Sequence, residues 1–229
     1  MTRGSHELLR TVIAPHIALR PVADDIRSAL PSGTSSPQYD GRARLYDRLV
    51  GSTIYNRLAW GLSPTSYTHF AREAAASGTG LLLDAGCGTL VSTAAVHATS
   101  GRPTILLDLS SDMLAAARDR LMVIGGSVAD HLALLQADLH DLPLRSEAFE
   151  TILCPGILPL IDDVAGLARS LARVAAPGAR LYFSSLVAEQ WLGTYYLAVL
   201  RRAGEVARPR TAAELLAALD LPGCGPCSD

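Results

Sequence analysis

Residues 81–90 read LLLDAGCGTL. Three consecutive leucines between Gly80 and Asp84 have the continuous apolar texture of a strand buried on both faces, as inside a parallel sheet. Gly86 and Gly88 then give a tight turn that can take positive φ and lets a ligand approach the main chain closely. The run TLVSTAAVHAT, residues 89–99, continues as a helix over about 90–99, whose free N–H groups face whatever occupies the turn.

Outward from this turn, short apolar runs alternate with helical spacing. Strands are expected over 81–84, 104–108, 132–136, 151–154 and 180–184, with helices near 90–99, 111–123 and 163–175 between them. Such alternation builds right-handed βαβ units into a doubly wound, mostly parallel α/β sheet flanked by helices. Upstream the texture differs. Residues 5–30 carry helix-like spacing through Leu8, Leu9, Val12, Ile13, Ile26 and Leu30, broken around Pro15 and Pro21. PSGTSSP, residues 31–37, is a loop by composition, and a second helical region spans about 39–76 with an interruption near 61–64. The chain therefore divides into an N-terminal helical cap, 1–78, and a Rossmann-like ligand-binding domain, 79–229.

The totals narrow the ligand. At 229 residues with a formal net charge of −2, the chain has room for one sizeable core and no basic footprint for nucleic acid or an anionic membrane surface. It shows neither the pattern of a secretory signal nor an apolar run of bilayer length, so the expectation is a cytoplasmic protein acting on a small molecule. Four cysteines, Cys87, Cys154, Cys224 and Cys227, are too few and too unevenly spaced for a disulfide framework.

A dinucleotide fingerprint wants G-x-G-x-x-G, and the positions here read Gly86-Cys87-Gly88-Thr89-Leu90-Val91, without the third glycine. No Gly-Lys-Ser/Thr comes after it, so the turn is not a P-loop. Its distinguishing residue is Asp84, at the strand end. A carboxylate there suits an ammonium-bearing ligand better than a pyrophosphate, because two anions repel.

LLLDAGCGT (81–89), ILLDLSSDML (105–114) and LLQADLHDLPL (134–144) occur in order at strand ends, and together they closely resemble the class I S-adenosylmethionine-dependent methyltransferases from about residue 46 to 186. The resemblance implies S-adenosyl-L-methionine as cofactor. It implies that Asp84, Gly86 and Gly88, with Cys87 between them, hold the methionine moiety, and that Asp108, with Leu109, receives the ribose hydroxyls. Met113 would pack on the adenine, and Asp138 with the backbone of Leu139 would meet its amino group. Cys154 and Gly156 would offer backbone contacts. Taken singly, Asp84 also reads as a turn cap, Asp108 as a helix N-cap and Met113 as ordinary core.

Two features depart from the family. Leu90 stands where a glycine often ends the turn, and it must either point beneath the helix or narrow the cofactor pocket. After helices near 189–203 and 211–220, only LPGCGPCSD remains, too short for a paired hairpin. The last two of the family's usual seven strands are therefore expected to be missing, with a homodimer as one cover for the exposed edge. Cys224 and Cys227 match C-x-x-C spacing, but no helix comes after them to stabilise a thiolate, so the pair reads as an incidental tail.

Methyl transfer from a sulfonium is an in-line displacement, driven by holding the acceptor close and excluding water, with a base needed only if the acceptor loses a proton. His140, Tyr46 and Tyr55 are the candidates for catalytic work, with Trp60 completing an aromatic lid that could favour a sulfonium. Packing in a plain amphipathic helix explains the same rings equally well. CPGILPLIDD, 154–163, lacks the Asn/Asp-Pro-Pro-aromatic pattern used on nucleic-acid amino groups. The reading is thus methylation of oxygen or nitrogen on a small organic molecule, without a metal. Its rivals are a protein that holds the cofactor without transferring the methyl group, as a cyclase or accessory subunit, and an NAD-dependent oxidoreductase on the same architecture.

Overall fold

The structure, a computed structural model, describes residues 2–31, 64–189, 191–202 and 206–220. The first helix, α1 (Arg3–Val12), begins where the Thr2 hydroxyl accepts the Ser5 N–H at 3.2 Å, so a side chain satisfies one of the open N–H groups. The helix ends at Val12, ahead of Pro15. A hairpin comes next, β1 (Arg20–Ala23) and β2 (Ile26–Ser28), in place of the continued helix that the spacing of Ile26 and Leu30 suggested. The reason lies in local burial: Ile26 and Ser28 point inward and Arg27 between them is half-buried, a period of two, while Pro21 fits an edge strand. The N-terminal portion is thus not a purely helical cap, because β2 pairs in parallel with a strand of the main sheet.

From α2 (Pro64–Ala76) onward the chain alternates as expected: β3 (Leu82–Ala85), α3 (Ala94–Ser100), β4 (Thr104–Asp108), α4 (Ser111–Gly125), β5 (Leu132–Gln136), β6 (Phe149–Pro155), a short 3-10 turn (Leu158–Leu160), α5 (Val164–Val174), β7 (Ala175–Ser184), α6 (Trp191–Arg202) and α7 (Ala212–Leu219). The sheet has seven strands in the order β1-β2-β5-β4-β3-β6-β7, parallel throughout except for β1. β7 closes the order on one side, and among the described residues no strand pairs beyond it. Cys224 and Cys227 lie outside the described residues.

The chain winds from β3 through β4 to β5 in one direction, then returns to β6 and β7 on the other side of β3. That reversal leaves a crevice at the carboxyl end of β3, since the connections leave the strand ends in opposite directions. Helices cover both faces. Ile105 and Leu107 of β4 join one core cluster with Leu9, Leu83, Leu135 and Leu171, while Leu106 joins a second with Leu114, Leu121 and Leu134. Each such leucine or isoleucine contributes about 1.5–3 kcal/mol by leaving water. Among the described residues no helix is long and apolar enough to cross a membrane.

At the opposite end of the sheet, Arg102 is a buried staple. Only 3% exposed, it donates from Nε to the Gly80 carbonyl at 2.9 Å, from Nη1 to the Ala74 carbonyl at 2.7 Å and from Nη2 to Thr151 Oγ1 at 2.8 Å. One planar fork thereby ties the last turn of α2 to the beginnings of β3 and β6. Arg102→Met should lower stability by about 2–4 kcal/mol, because it strands buried acceptors. Arg102→Lys, with a point charge in place of a fork, should recover less than half of that. Urea midpoints measure both; a loss below about 0.5 kcal/mol for Arg102→Met, the range of an ordinary surface change, would contradict the staple.

Candidate functional site

The glycine turn is locked to the neighbouring strand. The N–H groups of Gly86 and Cys87 both donate to the Leu107 carbonyl of β4, at 2.8 and 2.9 Å. Gly86 (φ 80°) and Gly88 (φ 56°) take left-handed conformations, and a Cβ on Gly86 would also collide with Ile157 Cδ1. The turn is braced from two further sides. Thr68 of α2 donates to the Ser92 carbonyl at 2.8 Å, and Arg120 of α4 donates to the Thr89 carbonyl at 2.7 Å.

Leu90 resolves its alternatives by pointing inward. It is 2% exposed and packs with Ala94, Leu106, Leu114 and Leu121 beneath the helices, so it does not narrow the mouth. The leucine sits at φ 55°, a conformation that costs a β-carbon residue about 1–2 kcal/mol, and its burial offsets that cost. The left-handed residue also explains why α3 starts at Ala94 and not near 90: residues 87–93 are spent in turns.

Two carboxylates stand at the ends of β3 and β4. Asp84 is 1% exposed, and its Oδ2 accepts from Nε2 of the fully buried His97 at 2.8 Å. The neighbour is a carboxylate oxygen, so Nε2 is the protonated nitrogen. Asp84 Oδ1 and His97 Nδ1 are the two buried side-chain polar atoms that lack a hydrogen-bond partner among the described residues. An unsatisfied carboxylate oxygen in a dry setting costs about 1–3 kcal/mol, which an N–H-bearing cationic ligand would remove. This free acceptor therefore fits an ammonium group.

Asp108, half-buried, accepts from the Gly88 N–H through Oδ2 and from the Ser110 N–H through Oδ1, both at 2.9 Å. Burial pushes its carboxyl up to about 6, further raised by the Asp84 charge and held back by the backbone donors. Each oxygen keeps a lone pair, so the carboxylate can still receive two hydroxyls.

The remaining expected residues lie around the same end of the sheet. Met113 is buried in the first turn of α4, its N–H bonded to the capping Ser110 hydroxyl at 3.3 Å. The Leu109 carbonyl accepts Gln136 Nε2 at 3.0 Å, which ties the ends of β4 and β5 together. Asp138 is half-exposed and accepts the His140 N–H at 2.9 Å. The Leu139 side chain is buried in the core, which leaves only its backbone for a ligand. The His140 ring lies 3.3 Å from the Asp163 carbonyl and 3.5 Å from Asp138 Oδ1, tied between two loops. Burial, with the nearby aspartates, pushes the Cys87 thiol well up; burial and Asp84 do the same to Cys154, which is 0% exposed. Neither is a nucleophile, and Cys154 has only main-chain atoms to offer. Tyr46, Tyr55 and Trp60 lie outside the described residues. Among the described residues no cluster of His, Cys, Asp or Glu could hold a metal ion.

Two residues were missed in the sequence. His97 stands alone in AAVHATS, and nothing in its spacing announces a partner thirteen positions earlier. Tyr67 was recoverable: with Ala71 and Ala74 it forms an inward stripe on α2. Its hydroxyl would be 3.4 Å from a Cβ on Gly156, at the carboxyl end of β6, and burial raises its pKa.

Residues 83–183 match the family described as "Methyltransferase domain", a span that holds the glycine turn, Asp84, Asp108 and Asp138. That span, somewhat under half of the chain, is similar to a methyltransferase domain, as the three motifs implied. The chain is 32% identical over 154 residues to the ubiquinone/menaquinone biosynthesis C-methyltransferase UbiE of Syntrophotalea carbinolica, covering 66% of this chain and 60% of that protein. It is 30% identical over 118 residues to a ubiquinone biosynthesis O-methyltransferase of Methylococcus capsulatus, covering 52% and 47%. The chain spans between 28% and 60% of the length of the first curated relatives it matches. The geranyl diphosphate C-methyltransferase of Streptomyces coelicolor shares the fold, at TM-score 0.59 and 16% identity over 95% of this chain and 78% of that one. So does the [4+2]-cyclase SpnF, at TM-score 0.61 and 20% identity over 80% and 69%.

Leu90 gives the chain a test of its turn. Leu90→Ala should cost about 2–4 kcal/mol through lost packing. Leu90→Gly, which relieves the left-handed backbone, should be at least as stable as the alanine variant, the reverse of the usual order. Thermal unfolding of both measures this; a glycine variant less stable by about 1 kcal/mol, the ordinary Ala-to-Gly difference, would contradict the left-handed turn.

Proposed function

We propose that the protein transfers a methyl group from S-adenosyl-L-methionine to a small organic molecule. The observation that carries this reading is the buried, unpartnered Oδ1 of Asp84 at the carboxyl end of β3. An ammonium group is the natural partner for that oxygen, and the cofactor's methionine moiety bears one. When bound, the cofactor supplies a methyl group on a sulfonium, an electrophile that needs no further activation.

The chain's own residues would then divide the work. Asp84 accepts the ammonium, and the Gly86–Gly88 turn leaves room for close approach. Asp108 accepts the ribose hydroxyls bidentately, Met113 offers a polarizable surface to the adenine, and Asp138 with the Leu139 backbone meets its edge. Tyr67, beside Gly156, narrows the crevice and helps to exclude water. The His140 ring is held between the Asp163 carbonyl and Asp138, and the reading assigns it no proton transfer, so catalysis rests on positioning. The expectation of an oxygen or nitrogen acceptor widens to carbon, because the curated relatives include a C- and an O-methyltransferase.

Calorimetric titration with S-adenosylhomocysteine, then transfer of labelled methyl to a panel of phenols and quinols, tests the reading. Saturable binding with labelled product supports it. Binding with no label transferred to any acceptor would favour a protein that holds the cofactor for another purpose.

The pH dependence of binding carries a sign. Hydroxyl donors favour the ionised Asp108, whose carboxyl is raised from 3.8 to about 6, so affinity should fall as pH drops through about 6. In Asp108→Asn the affinity should be lower at neutral pH and lose that dependence. A wild-type affinity that is flat between pH 5 and 8 would contradict the assigned role.

A further inference from the structure

The ring of His97 has one partner among the described residues, Oδ2 of Asp84 at 2.8 Å, and none for Nδ1. A buried imidazole with a single hydrogen bond is a poor choice for packing, since an aliphatic side chain would fill the same space without an orphaned nitrogen. Nor does the ring hold the helix in place. The His97 N–H donates to the Thr93 carbonyl at 3.1 Å and its carbonyl accepts His131 Nε2 at 2.9 Å, both main-chain contacts that any residue could make. What the ring does is occupy one oxygen of Asp84.

We propose that His97 is a positioning residue: by donating from Nε2 to Oδ2, it fixes the Asp84 carboxylate so that Oδ1 is the oxygen left for a ligand's ammonium group. The inference rests on the reading of this crevice as the S-adenosylmethionine site. A carboxylate with no such anchor could rotate about χ2 and present either oxygen, or turn toward the Cys87 N–H region of the turn. With Oδ2 engaged, the free oxygen is presented in one orientation before the ligand arrives, and the ordering cost falls outside the binding step. The pair thus tunes affinity for the amino-acid end of the ligand and leaves the adenosine end untouched.

Two probes separate the ends. S-adenosylhomocysteine carries the ammonium, and 5′-methylthioadenosine keeps the adenosine and thioether but lacks it. Titration calorimetry of the whole chain with each should give a preference for S-adenosylhomocysteine in the wild type. In His97→Leu the S-adenosylhomocysteine affinity should fall by about tenfold or more while that for methylthioadenosine stays within about twofold. His97→Gln, whose amide N–H reaches a similar point, should restore most of the preference. A preference unchanged in His97→Leu, or an equal loss for both probes, would overturn the proposal and leave His97 a structural residue. If His97→Leu is too unstable to titrate, His97→Gln is compared with His97→Asn, one carbon shorter: preference kept by glutamine and lost by asparagine supports the proposal, and equal behaviour overturns it. A wild type that binds neither probe fails the cofactor reading itself, a result distinct from either of these.

Discussion

The carbonyl oxygen of Leu107 accepts two N–H groups at once, those of Gly86 and Cys87, and the candidate site depends on that clamp. It fixes the turn after β3 to the strand beside it. With the turn held there, the next N–H, that of Gly88, meets the Asp108 carboxylate at the end of β4. Two adjacent strands therefore end in one rigid unit that carries both acidic groups. The price is a backbone that must pass through left-handed conformations at Gly86, Gly88 and Leu90, and only the first two positions take them without strain. The buried leucine shows how packing beneath the helices offsets local backbone cost.

The electrostatics of this unit are those of an anion trap inverted. Burial raises the cost of ionising Asp108, and the Asp84 charge adds to it. Backbone N–H donors stabilise Asp108, and His97 stabilises Asp84 from the far side. Each compensation is partial. The net effect is a negatively poised pocket with a dry, half-satisfied carboxylate, which favours a cationic ligand over a phosphate-bearing one. Burial, with these carboxylates adding to it, holds the two buried thiols nearby, Cys87 and Cys154, in their neutral form, and they serve as packing.

Much of this was legible in the sequence, because continuous leucine runs leave few alternatives. The strands at 104–108 and 132–136 fall where the apolar runs set them, and the acidic ends come with them. The N-terminal hairpin was not legible. RPVA and IRS are too short to show alternation, and Ile26 with Leu30 imitates a helical stripe until the partner strand β5 is known. His97 escaped for a related reason. A histidine's meaning lies in its spatial partner, and Asp84 comes from a different element. Leu90 was legible as an anomaly but not in its resolution, since a side chain's direction after a turn depends on φ, which the residue types of the turn do not announce.

The most direct test of the Asp84 site is a crystal structure of the protein grown with S-adenosylhomocysteine. The expected result is the ligand's ammonium within hydrogen-bond distance of Asp84 Oδ1, the His97 bond to Oδ2 retained, and the ribose hydroxyls on Asp108. A ligand seated elsewhere, or one that contacts this end of the sheet while Asp84 Oδ1 stays without a partner, would contradict it.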